Sequence, residues 1–413
     1  MEKSKISYQF LFPVLLSFFV MSFCDLVGIG VDRIKLDYPN ISNTLIQLIP
    51  SAVFLWFFIL SIPVGVLQDR IGKRNVLNLG MLVTAIGLFI PFFFYSFTTA
   101  LIGFALLGIG NTIVQVSANP LLVDVVPSNR RSSFLSFSQF IKALGSMVAA
   151  PLTAFFANQF GENNWKLTFL VFGIVSLLSV IWLYFSKIEE TVNTEKRATF
   201  GSSFKLFGNG YITAMVIGIF LVVGIDVGIN TISGQFLLDK FDCKQEFAES
   251  GRTVYFFAKM LGTFGGALLL AKVSSRKFFF WSSIVGLGAI ILLVLIPSQI
   301  FAEMKLVVSD KQYFDFKITG EMISMVIIFI IGLGVANIFP LIFSITVGKY
   351  PTRANEISGL MIMAVSGGAA IPPLMGWIQD STGKATATIF VLVACAVYLL
   401  GLALFQKKEE KEG

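Results

Sequence analysis

The sequence has no histidine, only three cysteines, and 13% charged residues among 413. Without histidine, imidazole metal sites and imidazole proton relays are excluded, so any proton must ride on a carboxylate. Cys24, Cys243 and Cys395 lack metal-ligand spacing, and no pair reads as a disulfide frame. Cys24 and Cys395 lie in apolar runs and read as small packing residues. A soluble protein carries about 25% charged residues. Half that share, with 55% hydrophobic residues and a mean hydropathy of +0.82, describes a chain that crosses a membrane many times. The 44 Phe suit lipid-facing surfaces. No nucleotide-binding loop, metal cluster or nucleophile constellation is visible, so the chain does not read as an enzyme and no cofactor is expected.

The net charge of +7 is not a nucleic-acid signal, because the basic residues sit in short loops, where they set orientation. Phe10 to Ile34 is too long for a signal-peptide core and reads as the first membrane helix. Runs of helix length follow at 44–67, 75–96, 98–126, 131–158, 165–187, 209–238, 248–273, 277–298, 319–349, 354–379 and 385–406. With the first run at 8–34 they make about twelve spans. The longest polar stretch between spans, 188–208, separates six from six. The expected organisation is therefore an N-terminal half at 1–187, a cytoplasmic linker at 188–208, and a C-terminal half at 209–413. Counting Lys and Arg in the short loops puts both termini inside. The loop 299–318 is too short for a separate domain.

Polar groups inside the spans are the informative residues. Lipid offers no hydrogen-bond partners, so such side chains face a bundle interior or a wet cavity. The stretch Gly108 to Pro151 carries Gln115, Asn119 and Pro120 on one side of a basic turn, and Gln139 and Lys142 on the other. It reads as a hairpin lining a transport path. The bland alternative is that the amides glue helices together and Pro120 only kinks one. A second hairpin at 332–373 resembles it, and Asp25-Leu26-Val27-Gly28-Ile29 is echoed by Asp226-Val227-Gly228-Ile229. Two similar six-helix halves are the plan of many secondary transporters.

Gly65-Val66-Leu67-Gln68-Asp69-Arg70-Ile71-Gly72-Lys73-Arg74 resembles the GxLxDRxGRK loop of the major facilitator superfamily. Within it, three segments resemble the fucose–galactose–glucose/proton symporter family. They are Ser117-Ala118-Asn119-Pro120, Asn337-Ile338-Phe339-Pro340-Leu341-Ile342-Phe343-Ser344, and Ser358-Gly359-Leu360 through Gly367-Gly368-Ala369-Ala370-Ile371-Pro372 and Gly376. The resemblance implies an all-α membrane protein with the major facilitator fold, twelve transmembrane helices in two pseudo-symmetric six-helix halves. It implies a multi-pass carrier in the cytoplasmic (inner) membrane that imports a hexose or deoxyhexose by proton symport through alternating access. Its expected partners are a sugar, a coupling cation that is a proton, and membrane lipid, with no nucleic acid and a monomeric state.

The resemblance also implies a conformational gate of Asp69, Arg70, Arg74 and Asp124. Asp69 is expected to cap the next bundle helix, and Asp124 to sit near Arg130 and Arg131. Several positions depart from the family. Its helix-four Glu falls on Gln115, which cannot titrate. Its helix-one Asp falls on Ile29, with Asp25 the nearest acid. A helix-five Asn becomes Lys142, a small helix-eight residue becomes Lys259, and an Arg becomes Thr263. A sugar presents hydroxyls, so the expected substrate-binding residues are Gln115, Asn119, Gln139, Lys142, Asn230, Gln235 and Asn337, with Phe140, Phe339 and Trp377 as ring-stacking candidates.

Asp25, Asp226, Lys142 and Lys259 put two acids and two bases deep in the spans, at about 2.5–3.5 kcal/mol each on the mild insertion scale. Three readings stay open. The charges pair as Asp25–Lys142 and Asp226–Lys259; or Asp25 or Asp226 is the ion-coupling site; or Lys142 meets an anionic sugar. A carrier of a sugar acid or amino sugar, and sodium-coupled or uncoupled transport, are the alternative functions.

Overall fold

The computed structural model describes residues 8–41, 48–190, 199–297, 301–309 and 312–412. Sixteen α-helices run through it: α1 Tyr8–Met21, α2 Leu26–Asp37, α3 Leu48–Ile71, α4 Lys73–Phe93, α5 Phe97–Val125, α6 Arg131–Phe160, α7 Leu167–Phe185, α8 Phe200–Lys205, α9 Gly210–Phe241, α10 Gln245–Leu269, α11 Ser275–Leu295, α12 Gly320–Val335, α13 Ile338–Lys349, α14 Ala354–Met363, α15 Gly367–Thr382 and α16 Ala385–Glu412.

Ten helical runs among the described residues are long and apolar enough to cross a membrane. The other two expected spans are helical as well. The first is α1 and α2 joined by a 3-10 turn at Ser22–Asp25, which shortens its apolar part. The eighth, α10, opens with Glu246, Glu249 and Arg252, which dilute its hydropathy. Spans ten and eleven are also interrupted, at Ala336–Asn337 and at Ala364–Ser366. The all-helical expectation meets one addition. Phe301–Ser309 and Gln312–Thr319 form a two-stranded antiparallel ribbon, with Glu303 opposite Lys317 and Lys305 opposite Asp315.

Contacts divide the chain into two compact units. The first comprises 1–219 with 266–273 and 340–366; the second comprises 220–265, 274–339 and 367–413.

In the first unit, α4 and α5 are held together by small residues. A Cβ at Gly103 would lie 2.6 Å from the Gly87 carbonyl, and one at Gly110 would lie 2.7 Å from the Gly80 carbonyl. Lipid supplies no hydrophobic drive between helices, so close backbone packing of this kind supplies the attraction. A capping box between Ser96 and Thr99 starts α5. In the second unit, a Cβ at Gly332 would lie 2.8 Å from the Tyr255 carbonyl, and one at Gly262 2.8 Å from the Ala336 Cβ. These approaches press α10 against α12 and fix Tyr255, and with it Lys259 one turn on, toward α9. Cys24 and Cys395 are buried, as packing residues would be. Exposed Phe58, Phe155, Phe256 and Phe390 stand on the outer faces of their helices.

Candidate functional site

The first unit contains a polar ladder. Where α1 gives way to the 3-10 turn, the Met21 carbonyl needs a new donor, and Asn111 Nδ2 supplies it at 3.0 Å. One turn on, Gln115 Nε2 donates to Asn111 Oδ1 at 3.1 Å. One turn further, Asn119 Nδ2 donates to the Gln115 carbonyl at 2.8 Å. Gln115 and Asn119 are 7% and 1% exposed, so both direct their donors within α5. Asn111, which organises the ladder, was not singled out from the sequence; its spacing of four from Gln115 was the available signal.

Asp25 ends the 3-10 turn and is exposed. Its Oδ2 accepts from the Ser146 hydroxyl of α6. α6 can come this close because Gly145 has no side chain; a Cβ there would lie 2.1 Å from Ser22 Oγ. Lys142 precedes Ser146 by one turn, on the same helix face. Its ammonium has no ion pair and no hydrogen bond among the described residues. The expected Asp25–Lys142 salt bridge is not formed among the described residues; the carboxylate's partner there is Ser146. Gln139, another turn back, is half-buried, and Phe140 packs on Phe137 at 5.9 Å.

At one end of this unit the loop between α3 and α4 gathers the gate residues. Asp69 accepts from Asn355 Nδ2 in the first turn of α14, and Gln68 Nε2 donates to the Asn355 carbonyl at 3.3 Å. The helices nearly touch there: a Cβ on Gly65 would lie 2.9 Å from that carbonyl, and one on Gly359 2.9 Å from the Ser61 carbonyl. Asp69 does not cap α4. That place is taken by Glu190, whose carboxylate accepts from the Lys73 and Arg74 backbone N–H groups at 2.5 and 3.1 Å. Gly72, at φ +87°, turns the chain and leaves room for Glu190. Asp124 pairs with Lys73 at 2.6 Å, both side chains almost fully buried, and its carboxylate also acts electrostatically on Arg131. Arg74 Nη1 donates to the Ser186 carbonyl at 2.7 Å, while Arg70 is exposed. Glu356 holds Arg353 at 2.5 Å and accepts from Ser202 of α8 at 2.5 Å.

The second unit holds one charged cluster. Asp226 Oδ2 accepts from Lys259 Nζ at 2.5 Å and Oδ1 from the Tyr255 hydroxyl at 2.7 Å. Tyr255 is fully buried, while the Asp226 and Lys259 side chains keep 24% and 28% exposure. This is the second of the two expected ion pairs. Asn337, in the break between α12 and α13, donates from Nδ2 to the Gly262 carbonyl at 2.7 Å. The buried Oδ1 atoms of Asn337 and Asn230 have no partner among the described residues. Gln235 lies further along α9, its side chain outside the described residues. Phe339 is half-buried; Trp377 is 67% exposed, which suits a lipid-facing ring better than a sugar-stacking one. No cluster of metal-ligating residues occurs among the described residues.

Comparison with known proteins gives these groups their context. The pattern described as Major Facilitator Superfamily matches residues 7–373. The chain belongs to that superfamily. Its members are transporters, and the twelve-span fold is the superfamily's. A glucose/galactose transporter of Brucella abortus biovar 1 (strain 9-941) is 26% identical over 386 residues, covering 89% of this chain and 87% of the relative. A putative glucose/galactose transporter of Helicobacter pylori (strain ATCC 700392 / 26695) is 24% identical over 422 residues, covering 95% and 96%. Among solved structures, the E. coli fucose:proton symporter matches with a TM-score of 0.79 at 15% identity, over 96% of this chain and 98% of that one. A proton:xylose symporter matches with a TM-score of 0.73 at 13% identity, over 97% and 95%. At such identities the likeness is one of fold.

Proposed function

We propose that this superfamily member imports a monosaccharide, a hexose or deoxyhexose, together with a proton, by alternating access between its two six-helix halves. The protein sits in the cytoplasmic membrane as a monomer, with both termini and the 188–208 linker inside, as its loop charges favour. The named relatives are a glucose/galactose transporter and a putative one, and the neighbouring structures are a fucose:proton and a proton:xylose symporter.

The observation that carries the coupling assignment is the contrast between two carboxylates. Asp226 is engaged by an ammonium and a phenol, so protonating it would break an ion pair. Asp25 is exposed, and its partner among the described residues is a serine hydroxyl, which can donate to a carboxylate or accept from a carboxylic acid. Asp25 is therefore the proton carrier, and Asp226 holds α10 to α9 through Lys259 and Tyr255. In the first unit, the half-buried Gln139 supplies an amide for a sugar hydroxyl. Asp69 and Asn355 part when the gate opens.

The test is uptake in proteoliposomes. Asp25→Asn should abolish accumulation driven by an inside-alkaline gradient while leaving sugar counterflow within about threefold of the parent, since counterflow needs no net proton movement. Gradient-driven accumulation surviving in that variant would remove Asp25 from the coupling role. Absence of counterflow for every sugar tried would overturn sugar transport itself.

A further inference from the structure

Lys142 has a role that ion pairing does not explain. It follows Arg131, the first residue of α6, by eleven residues, which is about 16 Å of helix and roughly half the thickness of a bilayer core. A charge at that depth is retained only where it meets a counter-charge or water. The residue is half-buried, and its ammonium makes no ion pair or hydrogen bond among the described residues.

The neighbourhood is nevertheless built. Ser146, one turn along the same face, is committed to Asp25. Lys142 stands one turn from Ser146, which holds Asp25, so the two charges share one locality. Gln139 lies one turn from Lys142 toward Arg131 and offers an amide. A cation without an ion pair among the described residues, an amide one turn away and partial exposure at mid-depth together make a receptor for a ligand that brings its own negative charge.

We propose that Lys142 binds the carboxylate of an acidic monosaccharide, a uronate or a sialic acid, and that Gln139 receives a neighbouring hydroxyl. This rests on the sugar-transport reading and puts an acidic monosaccharide in place of the neutral hexose or deoxyhexose as the preferred substrate. Asp25 explains how the charge is accommodated. Its carboxylate would repel an incoming one, so the acid sugar enters when Asp25 is protonated, and sugar anion and proton cross together. Among the described residues, the groups placed around Asp25 are Cys24 beside it, Ser146 and Lys142 on α6, and Asn111 of α5, which does not titrate.

The experiment is counterflow in proteoliposomes holding the full chain. The labelled probes are D-glucuronate, D-galacturonate and N-acetylneuraminate, set against D-glucose, D-galactose and L-fucose. At least one acid sugar should exchange more strongly than its neutral counterparts. Lys142→Gln should weaken its half-saturation by about tenfold or more, and Lys142→Arg should recover part of that loss, because a charge-assisted hydrogen bond is at stake. If Lys142→Gln fails to fold, the parent's preference between acid and neutral sugars decides alone. Exchange of neutral sugars only, or acid-sugar exchange indifferent to Lys142→Gln, overturns the inference and leaves sugar transport standing. No exchange of any of the six overturns both.

Discussion

Ser358 donates its hydroxyl to the Val116 carbonyl at 2.6 Å, and Val116 is the residue four before Pro120 in α5. A helical proline has no N–H, so the carbonyl four residues earlier loses its partner. Here a serine on α14 fills that vacancy, and the pair ties two helices of the first unit together. Pro120 is thus more than a kink. Both groups are buried. Ser358→Ala leaves the carbonyl unsatisfied and should cost about 1–3 kcal/mol of stability. Pro120→Ala restores the N–H, so Ser358→Ala in that background should cost much less. Thermal unfolding of the four proteins in detergent forms a double-mutant cycle. Additive shifts in midpoint would show that the serine does not serve the proline's carbonyl.

Lys73 and Asp124 form the most deeply buried ion pair among the described residues, 2.6 Å apart with side chains 3% and 7% exposed. Removing one member of such a pair strands the other charge away from water, at about 3–5 kcal/mol. Asp124→Asn should therefore lower the unfolding midpoint sharply. Lys73→Met together with Asp124→Leu should recover most of the loss, because neither member of the pair is then buried without the other. A double variant as unstable as the single one would mean that the pair's geometry, not charge compensation, holds this end of the unit.

The reach of the sequence differs between spans and partners. Span positions were legible because a bilayer demands a fixed length of apolar helix, and α4, α5 and α11 begin and end within a few residues of the expected runs. The break at Ser22–Asp25 was not legible: it contains no proline or glycine, and Asn111, ninety residues away from Met21, donates to the freed Met21 carbonyl. The ribbon at 301–319 alternates in sequence, Tyr313-Phe314-Asp315-Phe316-Lys317-Ile318, but its length made it look like a plain loop. In the candidate site, residue types were readable and partners were not. Asp124 has Arg130 and Arg131 nearby in sequence, yet its ion pair comes from Lys73 on α4, because α4 and α5 pack along their glycines. The same limit separated Asp226–Lys259, which forms, from Asp25–Lys142, which does not.

Tyr95, in the turn between α4 and α5, donates to Asp37 at 2.6 Å, and Trp165 Nε1 donates to the same oxygen at 3.1 Å. Burial, then the hydrogen bond to Asp37, pushes the Tyr95 phenol well above its ordinary range. The folded state thus holds the proton more tightly than the unfolded chain, whose tyrosine titrates near about 10. That contribution is fully present below pH ~10 and is lost as pH rises beyond it. Unfolding midpoints measured from neutral pH to pH 11 should fall at the alkaline end, and Tyr95→Phe should flatten the fall. An equal alkaline loss in Tyr95→Phe would assign it to other groups.

Asp226, Lys259 and Tyr255 give the last prediction. The two donors stand one turn apart on α10 and take one carboxylate oxygen each, so the acid is held at two points. The ion pair is about a quarter exposed, which allows water to screen it, so its strength lies nearer a surface bridge than a dry one. The phenol is fully buried. Tyr255→Phe should therefore cost about 1–2 kcal/mol, chiefly by removing a hydrogen bond from an ionised acceptor. Asp226→Asn should cost at least as much, because it weakens both contacts and frees Lys259. Lys259→Gln in the Asp226→Asn background should add little, since the ammonium has already lost its counter-charge. None of these changes touches Asp25, so the pH dependence of gradient-driven uptake should keep the parent's midpoint in Tyr255→Phe even as stability falls. A midpoint that moved with Tyr255→Phe would place the titrating carboxylate in this cluster and make Asp226, not Asp25, the residue that carries the proton.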